Sequence, residues 1–479
     1  MTSPRVQTRA SEASDPTAPG VHVVTFGCQM NKYDSLLVEG RFTSHGYRLV
    51  DDPAAADVIL FNTCSVREHA EERVYSWLGE LRQAKERRPG LVVGVMGCLA
   101  QRAEGEVFAR ANHVDLVCGT RKLHRLPELV DEVRRRRGQG LAPREQRLLE
   151  VGMEEEVAVE RDTELYTGGL CGYLTVMRGC DLNCTFCIVP RVRGRVQSRM
   201  QEDLVREARW MVAGGARVIT LLGQTVNAYG EDLPAADGRG RRGKPGLADL
   251  LHALQELDGL ERIRLVTLHP SYLDEELARA IAACDKVDRF LPLPAQSGSD
   301  AVLRRMRRGY TRELYRERLA LLRAHVPDIE LGSDWIVGFP GESADDFEAT
   351  LAFQTEIGSV QNYVFQYSPR PGTRAFELED DVPLEEKKRR NAELLRCGEA
   401  VALARHQRWI GRAVPVFVEE RREQAGTFKG RTHHHLPVSF AAREATLGRS
   451  LLVRIEEVSA FGLWGSALEA GESEQGRAP

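Results

Sequence analysis

The chain has 479 residues, an apolar content of 42%, a charged content of 28% and a formal net charge of −4. This length suggests two to four domains, and the weak negative charge excludes a generally basic protein, so that any nucleic acid must bind local patches of positive charge. We find no apolar run near the ~20 residues that span a bilayer and no apolar signal segment in the first twenty residues, so we expect a cytoplasmic protein without a membrane segment. Ten cysteines in such a chain indicate reduced thiols that bind metal or react, not a disulfide framework.

The first block of the chain predicts a parallel α/β domain. Residues 1–20 are rich in Ser, Thr, Pro and Ala and predict a disordered tail. From residue 21 to about residue 135, short apolar strands alternate with helical stretches, which is typical of a parallel sheet covered by helices. The polar segment 136–168 that follows predicts a linker.

Three cysteines of this block share one context. Cys28, Cys64 and Cys98 each follow a predicted strand, in VVTFGCQMN, VILFNTCSV and VVGVMGCLA. Because the carboxyl ends of parallel strands meet at one edge of a sheet, three thiolates would converge there, enough to hold a four-iron, four-sulfur cube with one iron free of protein ligands. Burial as small core residues is the alternative. Cys118, in DLVCGT, also follows a strand, and the pattern does not separate it from the other three.

The second block, residues 169–405, predicts a partial (β/α)6 barrel with its chemistry at the carboxyl ends of the strands. Its six predicted strands, separated by helical segments, are Gly172–Met177, Val218–Leu222, Ile263–Leu268, Phe290–Pro294, Leu331–Val337 and Gln361–Tyr367. The Gly- and Arg-rich stretch 232–246 predicts a surface insertion. The third block, residues 411–470, has three apolar or alternating segments, Ala413–Val418, Leu451–Ile455 and Leu463–Leu468, and predicts a small β-barrel. Residues 471–479 are predicted as a tail.

The loop after the first barrel strand reads RGCDLNCTFCIVPRVRGR and carries a second cysteine set. Cys180, Cys184 and Cys187, in the pattern CxxxCxxC, can bind three irons of a cube and leave the fourth iron open to a substrate or cofactor. A zinc loop is the alternative, but zinc sites usually need a fourth Cys or His ligand nearby. The nearest candidate, Cys171, lies across a predicted strand.

With Phe186 before its last cysteine, this loop resembles the signature of radical S-adenosylmethionine (SAM) enzymes. From about Val21 to about Leu468, the chain resembles the radical SAM methylthiotransferase family, most closely its branch that modifies isopentenyladenosine in tRNA. The matching segments are CQMNKYDS (28–35), CSVREHAEERV (64–74), GCLAQ (97–101), the SAM loop, LLGQTVNAYG (221–230), LPAQSGSD (293–300), IVGFPGES (336–343) and YSPRPGT (367–373).

The resemblance implies a Rossmann-like methylthiotransferase domain at 21–135, a radical SAM core at 169–405 and an RNA-binding TRAM domain at 411–470. It also implies two [4Fe–4S] clusters. Cys28, Cys64 and Cys98 would hold an auxiliary cluster whose open iron carries the sulfur for the product, and the catalytic set Cys180, Cys184 and Cys187 would hold the cluster that cleaves SAM. The residues expected to bind SAM are Phe186, Gly223, Gln224, Asn227, Gln296 and Ser297.

Two arginine-rich runs and a histidine tract complete the set of candidate residues. The arginines are Arg191, Arg193, Arg195 and Arg199, followed by Arg304, Arg305, Arg307 and Arg308. A solvated surface is the ordinary interpretation of such runs, and contact with the phosphates of an anticodon stem-loop is the alternative. The triple histidine 433–435 departs from the family pattern, and we interpret it as a solvated loop beside RNA.

The function that the resemblance implies is the conversion of isopentenyladenosine, next to the tRNA anticodon, into its 2-methylthio derivative. We expect a monomer that uses two SAM per product and an electron donor such as a flavodoxin or ferredoxin. Methylthiotransferases for threonylcarbamoyladenosine in tRNA, or for an aspartate of a ribosomal protein, are the alternatives within the family. A non-enzymatic iron–sulfur RNA-binding redox sensor is a further alternative, although it does not explain two cysteine sets that each leave an iron open.

Overall fold

The computed structural model describes residues 17–65, 68–153, 169–234, 245–424 and 426–468. Most of the predicted tails, the end of the predicted linker and most of the predicted insertion lie outside these ranges. The chain divides into two compact units. Unit 1 contains residues 1–167, 178–181 and 187–196, and unit 2 contains residues 168–177, 182–186 and 197–479. Among the described residues, no helix has the length and apolar character that a membrane span requires.

Unit 1 is an α/β layer structure built on one sheet. Its strands are β1 (Gly20–Phe26), β2 (Arg48–Leu49), β3 (Val58–Thr63), β4 (Val92–Gly97), β5 (Leu116–Cys118) and β6 (Leu148–Glu150). Its helices are α1 (Gln29–Ser44), α2 (Glu68–Arg87), α3 (Cys98–Ala103), α4 (Glu106–Arg110), α5 (Leu126–Gly138) and α6 (Val189–Arg193). The strands lie in the order β2-β1-β3-β4-β5-β6, and every neighbouring pair is parallel.

Both faces of this sheet are covered. β3 and β4 are buried at every position, as near-continuous apolar strands are when helices pack on each side. One apolar core joins the sheet to α1 and α5 through Phe42 and Val130. The other joins it to α2, α3 and α4 through Leu78, Leu99 and Val107. The predicted Rossmann-like α/β domain is therefore confirmed.

The strand order reverses between β1 and β3, because the chain goes outward from β1 to β2 and then returns to the other side of β1. In open α/β sheets such a switch point opens a crevice at the carboxyl ends of the two strands. The edge strand β6 lies inside the segment predicted as a linker. It pairs with β5 in parallel, and this long-range pairing leaves no signal in a three-residue sequence.

Unit 2 begins with six parallel strands, which confirm the predicted partial barrel. They are β7 (Cys171–Thr175), β10 (Val218–Leu222), β11 (Arg262–Leu265), β12 (Phe290–Pro292), β13 (Glu330–Val337) and β14 (Gln361–Gln366); two short strands, β8 (Met177–Arg178) and β9 (Gln197–Ser198), lie between β7 and β10 in sequence. The helices are α7 (Gln201–Ala213), α8 (Leu247–Gln255), α9 (Glu275–Ala283), α10 (Asp300–Met306), α11 (Arg312–His325), α12 (Ala344–Ile357) and α13 (Leu384–His406). The strands form two sheets, β11-β10-β7 and β12-β13-β14.

The end of unit 2 is a closed barrel of five strands, where the sequence predicted three. The strands are β15 (Ala413–Arg421), β16 (Thr427–Arg431), β17 (Pro437–Ala441), β18 (Ser450–Ser459) and β19 (Gly462–Ala467). They close in the order β15-β16-β17-β19-β18. The predicted small C-terminal β-barrel is confirmed.

The triple histidine packs inside unit 2, so its interpretation as a solvated loop is wrong. The His435 ring stacks on Phe290 with 5.2 Å between ring centroids, and its Nδ1 lies 3.2 Å from Asp288. The Nε2 of His434 lies 2.9 Å from Asp328. Histidine rings offer an apolar face and a polar edge, and here both are used to join the small barrel to the loops beside β12.

Candidate metal centres

The first cysteine set lies at the carboxyl ends of three neighbouring strands of unit 1. Cys28 follows β1, Cys64 follows β3, and Cys98 begins α3 directly after β4. Cys64 and Cys98 are buried, whereas part of Cys28 is exposed to solvent. The Cys28 and Cys64 side chains are hydrogen-bonded, and Cys98 is within electrostatic range of Cys28. The sheet thus brings together the three cysteines that the sequence pattern singled out.

The environment of these thiols favours one thiolate and opposes another. The hydrogen bond with Cys64 lowers the pKa of Cys28 to about 6, with help from the positive charge of Arg193, although burial acts in the opposite direction. Burial raises the pKa of Cys98, and contact with Arg193 only partly offsets this. Because the thiolate is the form that binds metal, Cys28 is the thiol of this pair that is ready to bind at neutral pH.

Two asparagines tie the loop of Cys28 to the strand that leads to Cys64. The Asn31 Nδ2 donates to the Asn62 Oδ1 over 3.0 Å, and the Asn62 Nδ2 donates to the Asn31 carbonyl over 2.7 Å. The Oδ1 of Asn31 also lies 3.2 Å from the Cys28 Sγ. Both asparagines are fully buried. This reciprocal pair fixes two of the cysteine-bearing loops against each other, and the residue-level predictions did not include it.

Glycines precede two of the cysteines for a steric reason. Gly97 has a φ of +89°, and a Cβ there would meet the Asn62 Oδ1 at 2.4 Å. A Cβ on Gly27 would meet the Asn31 Oδ1 at 2.6 Å and the Cys64 Cβ at 2.9 Å. Any side chain at either position would push the asparagine pair or a cysteine out of place.

Cys118 does not belong to this set. It is fully buried in the core between the sheet and helices α1 and α5. Its Sγ lies 3.7 Å from the Gly119 carbonyl, and burial raises the pKa of this thiol. Unlike Cys98, Cys118 is affected by neither Arg193 nor Cys28, which separates it from the first cysteine set.

A buried arginine stands beside the first cysteine set. Arg193, in α6, is 5% exposed. It contacts Cys98 and acts electrostatically on Cys28, and its Nη2 lies 2.8 Å from the Asp34 Oδ2. The interpretation of Arg193 as part of a solvated or phosphate-binding run is therefore wrong. The pairing with Asp34 on α1 joins distant parts of the chain, so no local pattern could reveal it.

The second cysteine set lies on the loop that contributes to both units. In unit 1, the Cys180 amide donates to the Gly194 carbonyl over 3.0 Å. In unit 2, Thr185 is held against the end of α10 by two hydrogen bonds. Its amide donates to the Met306 carbonyl, and its hydroxyl donates to the Arg305 carbonyl. Phe186 packs on an apolar cluster that contains Phe339 and Tyr367.

Arg308 contacts the Cys184 side chain in unit 2, as Arg193 contacts that of Cys98 in unit 1. Its Nη1 lies 3.3 Å from the Cys184 Sγ, and its Nε donates to the Tyr310 hydroxyl over 3.3 Å. Tyr310 in turn donates to the Ala295 carbonyl over 2.8 Å. Arg308 is 7% exposed, so the second arginine run also contains a buried member directed at a cysteine.

The expected SAM-binding residues lie near the carboxyl ends of the barrel strands, and they divide into two groups. The Asn227 side chain is hydrogen-bonded within the protein. Its amide group donates to the His269 carbonyl and accepts from the His269 backbone amide, both over 2.9 Å. The Ser297 hydroxyl lies 3.3 Å from that of Thr350 on α12. Gln296 has a φ of +65° and bridges to Trp335 of β13.

Of the other expected residues, Gln224 has an unused polar atom, and so do Thr175 and His269, which the sequence did not predict. Among the described residues, the Oε1 of Gln224, the Oγ1 of Thr175 and the Nε2 of His269 are buried without a hydrogen-bond partner. Burial, with repulsion from Arg308, lowers the pKa of His269 to about 3, so its ring is neutral. Buried polar atoms left unpaired are costly, and these fit a polar ligand such as SAM. A Cβ on Gly223 would meet Met177 at 2.7 Å.

The donor chemistry of both cysteine sets fits iron–sulfur clusters. Within the described part of the chain, no three His, Cys, Asp or Glu side chains lie close enough together to hold one ion. Cysteines that bind a cube ligate different iron atoms, so their sulfurs need not meet around one point. Three cysteines per set, each set with a buried arginine at one of its members, suit an anionic cluster with one open iron.

Comparison with known proteins agrees with this geometry. A family model described as "Uncharacterized protein family UPF0004" matches residues 20–119, and the radical SAM superfamily model matches residues 174–353. The solved structure of the radical SAM methyltransferase TsrM from Kitasatospora setae has a TM-score of 0.50 at 16% identity and covers 75% of this chain and 77% of that one. The radical SAM enzyme OxsB has a TM-score of 0.51 at 14% identity and covers 79% and 56%. These two structures support the fold alone.

Three relatives with much higher identity are described as tRNA-2-methylthio-N(6)-dimethylallyladenosine synthases. The protein of Syntrophotalea carbinolica is 40% identical over 91% of this chain and 96% of its own length. That of Coxiella burnetii is 40% identical over 93% and 99%, and that of Thermus thermophilus is 38% identical over 95% and 94%. At this identity over almost the whole length of both chains, the protein belongs to the tRNA-2-methylthio-N(6)-dimethylallyladenosine synthase family of radical SAM enzymes.

Proposed function

We propose that this protein converts isopentenyladenosine, next to the anticodon of tRNA, into its 2-methylthio derivative. The observation that carries the proposal is the presence of two cysteine triplets on separate supports, one on the strand ends of a parallel sheet and one on the loop after β7. Transfer of a methylthio group to an aromatic carbon needs a radical to activate the carbon and a sulfur to bond with it. Two open clusters in one chain can meet these two needs separately.

We assign Cys28, Cys64 and Cys98 to the auxiliary cluster, and Cys180, Cys184 and Cys187 to the cluster that binds SAM. When bound, the second cluster supplies the electron that cleaves SAM, and the first supplies the sulfur that is methylated by another SAM and transferred. The low pKa of Cys28 favours its thiolate as a ligand at neutral pH. Arg193 and Arg308 place a positive charge beside one cysteine of each set, which offsets part of the negative charge of the thiolates.

Four residues are proposed to orient SAM in the barrel. Gln224 and Thr175 offer buried oxygens that can accept hydrogen bonds from its ammonium group. Gly223 lets the ligand approach the backbone closely, and Phe186, held on its apolar cluster, supplies a ring for the adenine. For Asn227, Gln296 and Ser297, we propose that they shape the pocket through the backbone, since their observed contacts are with the protein frame.

The open edge of the barrel offers a surface for the nucleobase of the substrate. Trp335 is fully buried, with its ring 6.4 Å from Phe353 of α12, so this face of β13 turns toward the helices. Successive strand residues alternate between faces, and Trp335 is in register with Val364. Tyr363 and Phe365 of β14 therefore point to the barrel interior, where they are 50% and 40% exposed. Aromatic rings of this kind suit an unstacked nucleobase and its apolar isopentenyl chain.

The remaining partners follow from the reaction. The substrate is the anticodon stem-loop of a tRNA, and the small C-terminal barrel is proposed as an RNA-binding TRAM domain. Cleavage of SAM requires a one-electron donor, for which a flavodoxin or ferredoxin is suitable. We propose a monomer that acts in the cytoplasm, where tRNA and reduced thiols are both present.

The test is an anaerobic assay of the iron–sulfur-reconstituted protein with SAM and a strong reductant. Three separate anticodon stem-loops would carry isopentenyladenosine, threonylcarbamoyladenosine or plain adenosine, and the nucleosides would be identified by mass spectrometry. We expect a methylthio adduct on the isopentenyl substrate alone. An adduct on the threonylcarbamoyl substrate would overturn the substrate assignment, and release of deoxyadenosine without any RNA adduct would favour a protein substrate.

Cys118 provides a matched control for the cluster assignment. Cys64→Ala and Cys118→Ala each remove one buried cysteine of the same sheet, but only Cys64 lies with Cys28 and Cys98. We expect Cys64→Ala to lose the adduct and Cys118→Ala to keep it. Equal loss in both variants would show that the sheet is damaged and would leave Cys64 without a special role.

A further inference from the structure

One carboxylate in unit 1 is shared by two arginines. Asp34 lies on α1, the helix that begins directly after Cys28, and is fully buried. Its Oδ1 lies 3.1 Å from the Arg178 Nη2, and its Oδ2 lies 2.8 Å from the Arg193 Nη2. The Arg178 side chain is 17% exposed and that of Arg193 is 4% exposed. A buried carboxylate is tolerated where cations surround it, so the three groups form one charged unit.

The two arginines bracket the SAM loop in the sequence. Arg178 stands two positions before Cys180, and Arg193 stands six positions after Cys187. The stems of the loop also meet each other, since the Cys180 amide donates to the carbonyl of Gly194, the residue after Arg193. Asp34 therefore holds both stems of the loop that carries one cysteine set and belongs to the helix that begins at the other set.

Further contacts tie the same stem to the auxiliary cysteines. Cys98 forms a small apolar cluster with Ile188 and Val192 of the segment that follows Cys187. The Thr120 hydroxyl donates to the Val192 carbonyl, and the Arg121 guanidinium donates to the Arg193 carbonyl over 3.2 Å. These contacts seat the stem on the sheet edge, where Arg193 also pairs with Asp34.

Transfer between two clusters depends on their separation. The activated carbon of the substrate must be reached by the sulfur of one cluster while SAM is cleaved at the other, so an error in their spacing separates the two events. We propose that Asp34 is a positioning residue, an ionic clamp on Arg178 and Arg193 that sets the distance of the loop stems carrying Cys180 and Cys187 from Cys28, Cys64 and Cys98 and thereby couples radical formation to sulfur transfer. This inference rests on the proposed function.

Asp34→Asn tests the clamp because it removes the charge and keeps the shape. Asp115→Asn is the matched control, since Asp115 is also a buried carboxylate of unit 1 between two cations, Lys85 and Arg137, but lies away from both cysteine sets. The readouts are iron per chain after reconstitution, the dipolar broadening between the two reduced clusters in EPR, and product formed per deoxyadenosine released. Hydrogen–deuterium exchange of residues 187–196 in the apo-protein adds a readout that needs no cluster.

For Asp34→Asn, we expect iron content to stay at two clusters per chain, the dipolar broadening to change, and exchange in 187–196 to rise. Product per deoxyadenosine should fall about 10- to 100-fold, the scale of an error of about 1 Å in a reacting geometry. Asp115→Asn should change none of these four readouts. Unchanged broadening and exchange in Asp34→Asn, or equal changes in Asp115→Asn, would overturn the clamp.

A second variant covers the case in which Asp34→Asn does not fold. Arg178→Lys keeps the charge at the more exposed arginine but loses the planar guanidinium, and we expect a smaller change in the same readouts. No change in Arg178→Lys would overturn the assignment of that arginine to the clamp. The broadening and the exchange do not depend on RNA, so a wild-type protein without methylthio product would refute the proposed function while these two readouts still tested the clamp.

Discussion

The cysteines of the first set follow three strands that are scattered along the sequence, whereas those of the second set lie within one short segment. Cys28, Cys64 and Cys98 meet only because β1, β3 and β4 are neighbours in a parallel sheet. Cys180, Cys184 and Cys187 need no sheet to be close in the chain, but their loop contributes to both units. The first site is therefore fixed by topology, and the second is fixed by what its loop is anchored to.

Each site nevertheless shares one electrostatic feature, which is a buried arginine beside one of its cysteines. Arg193 reaches Cys98, and Arg308 reaches Cys184. The arginine of the first site is held by a carboxylate, Asp34, while the arginine of the second is held by the Tyr310 hydroxyl. The arginine of the first site is therefore fixed by an ion pair, within a unit of Asp34, Arg178 and Arg193 that carries one net positive charge, whereas Arg308 is fixed by hydrogen bonds.

The largest effect should come from removing one cysteine of each set. Cys184→Ala should abolish deoxyadenosine release and product together, because SAM cannot be cleaved without its cluster. Cys64→Ala should retain deoxyadenosine release and lose the methylthio product, because only sulfur supply is removed. Quantifying both compounds in one anaerobic reaction measures this. A Cys64→Ala protein with full product yield would remove the distinction between the two sites.

Arg308→Gln should weaken the SAM site alone. Loss of a hydrogen bond to a charged group costs roughly 1.5–3 kcal/mol, which lowers the deoxyadenosine rate roughly 10- to 100-fold. The reduction potential of that cluster should become more negative, since a neighbouring positive charge favours the added electron. An EPR-monitored redox titration measures the potential. Arg304→Gln, an exposed position of α10, is the control, and an equal shift there would argue against a specific role for Arg308.

The sequence predicted the elements that depend on local pattern and missed those that depend on distant partners. Val218–Leu222 was predicted with the bounds observed, because apolar periodicity is local. The strands β16 and β17 were not predicted, since TFKGR and PVSFA become strands only by pairing with each other and with the rest of a closed barrel.

The same limit applies to the candidate sites. All six cysteines were identified from spacing and strand context, and the structure brings Cys28, Cys64 and Cys98 together. Arg193 and Arg308 looked like members of solvated basic runs, because a run of charges does not show which member turns inward. Their partners, Asp34 and Cys184, are far away in sequence, and only the fold reveals them.

Gly97→Ala should disturb the site of Cys28, Cys64 and Cys98, with a smaller effect than the loss of a cysteine. A side chain at a φ of +89° is strained by roughly 1–3 kcal/mol, and its Cβ would displace Asn62. We expect the thermal unfolding midpoint to fall by several degrees and the iron of one cluster to be lost in part, with deoxyadenosine release preserved. Gly46→Ala is the matched control, since Gly46 has a φ of +80° with no atom near its Cβ. It should lower stability without loss of iron.

The smallest effect should appear in a region that serves neither cysteine set. Burial lowers the pKa of His435 to about 4, although the bond with Asp288 acts in the opposite direction, whereas an unfolded histidine titrates near 6.5. Between these values the unfolded chain binds more protons, so stability falls as the pH drops from 7.5 to 5.5, by about 1 kcal/mol for this residue. Urea unfolding at the two pH values measures the loss. His435→Gln should reduce the difference between them, and an unchanged difference would mean that His435 does not carry it. This acid sensitivity arises where the small barrel meets the loops beside β12. Iron content at pH 5.5 should therefore be the same in His435→Gln and in the natural protein. Equal iron content would show that the packing of the C-terminal barrel does not affect either cysteine site.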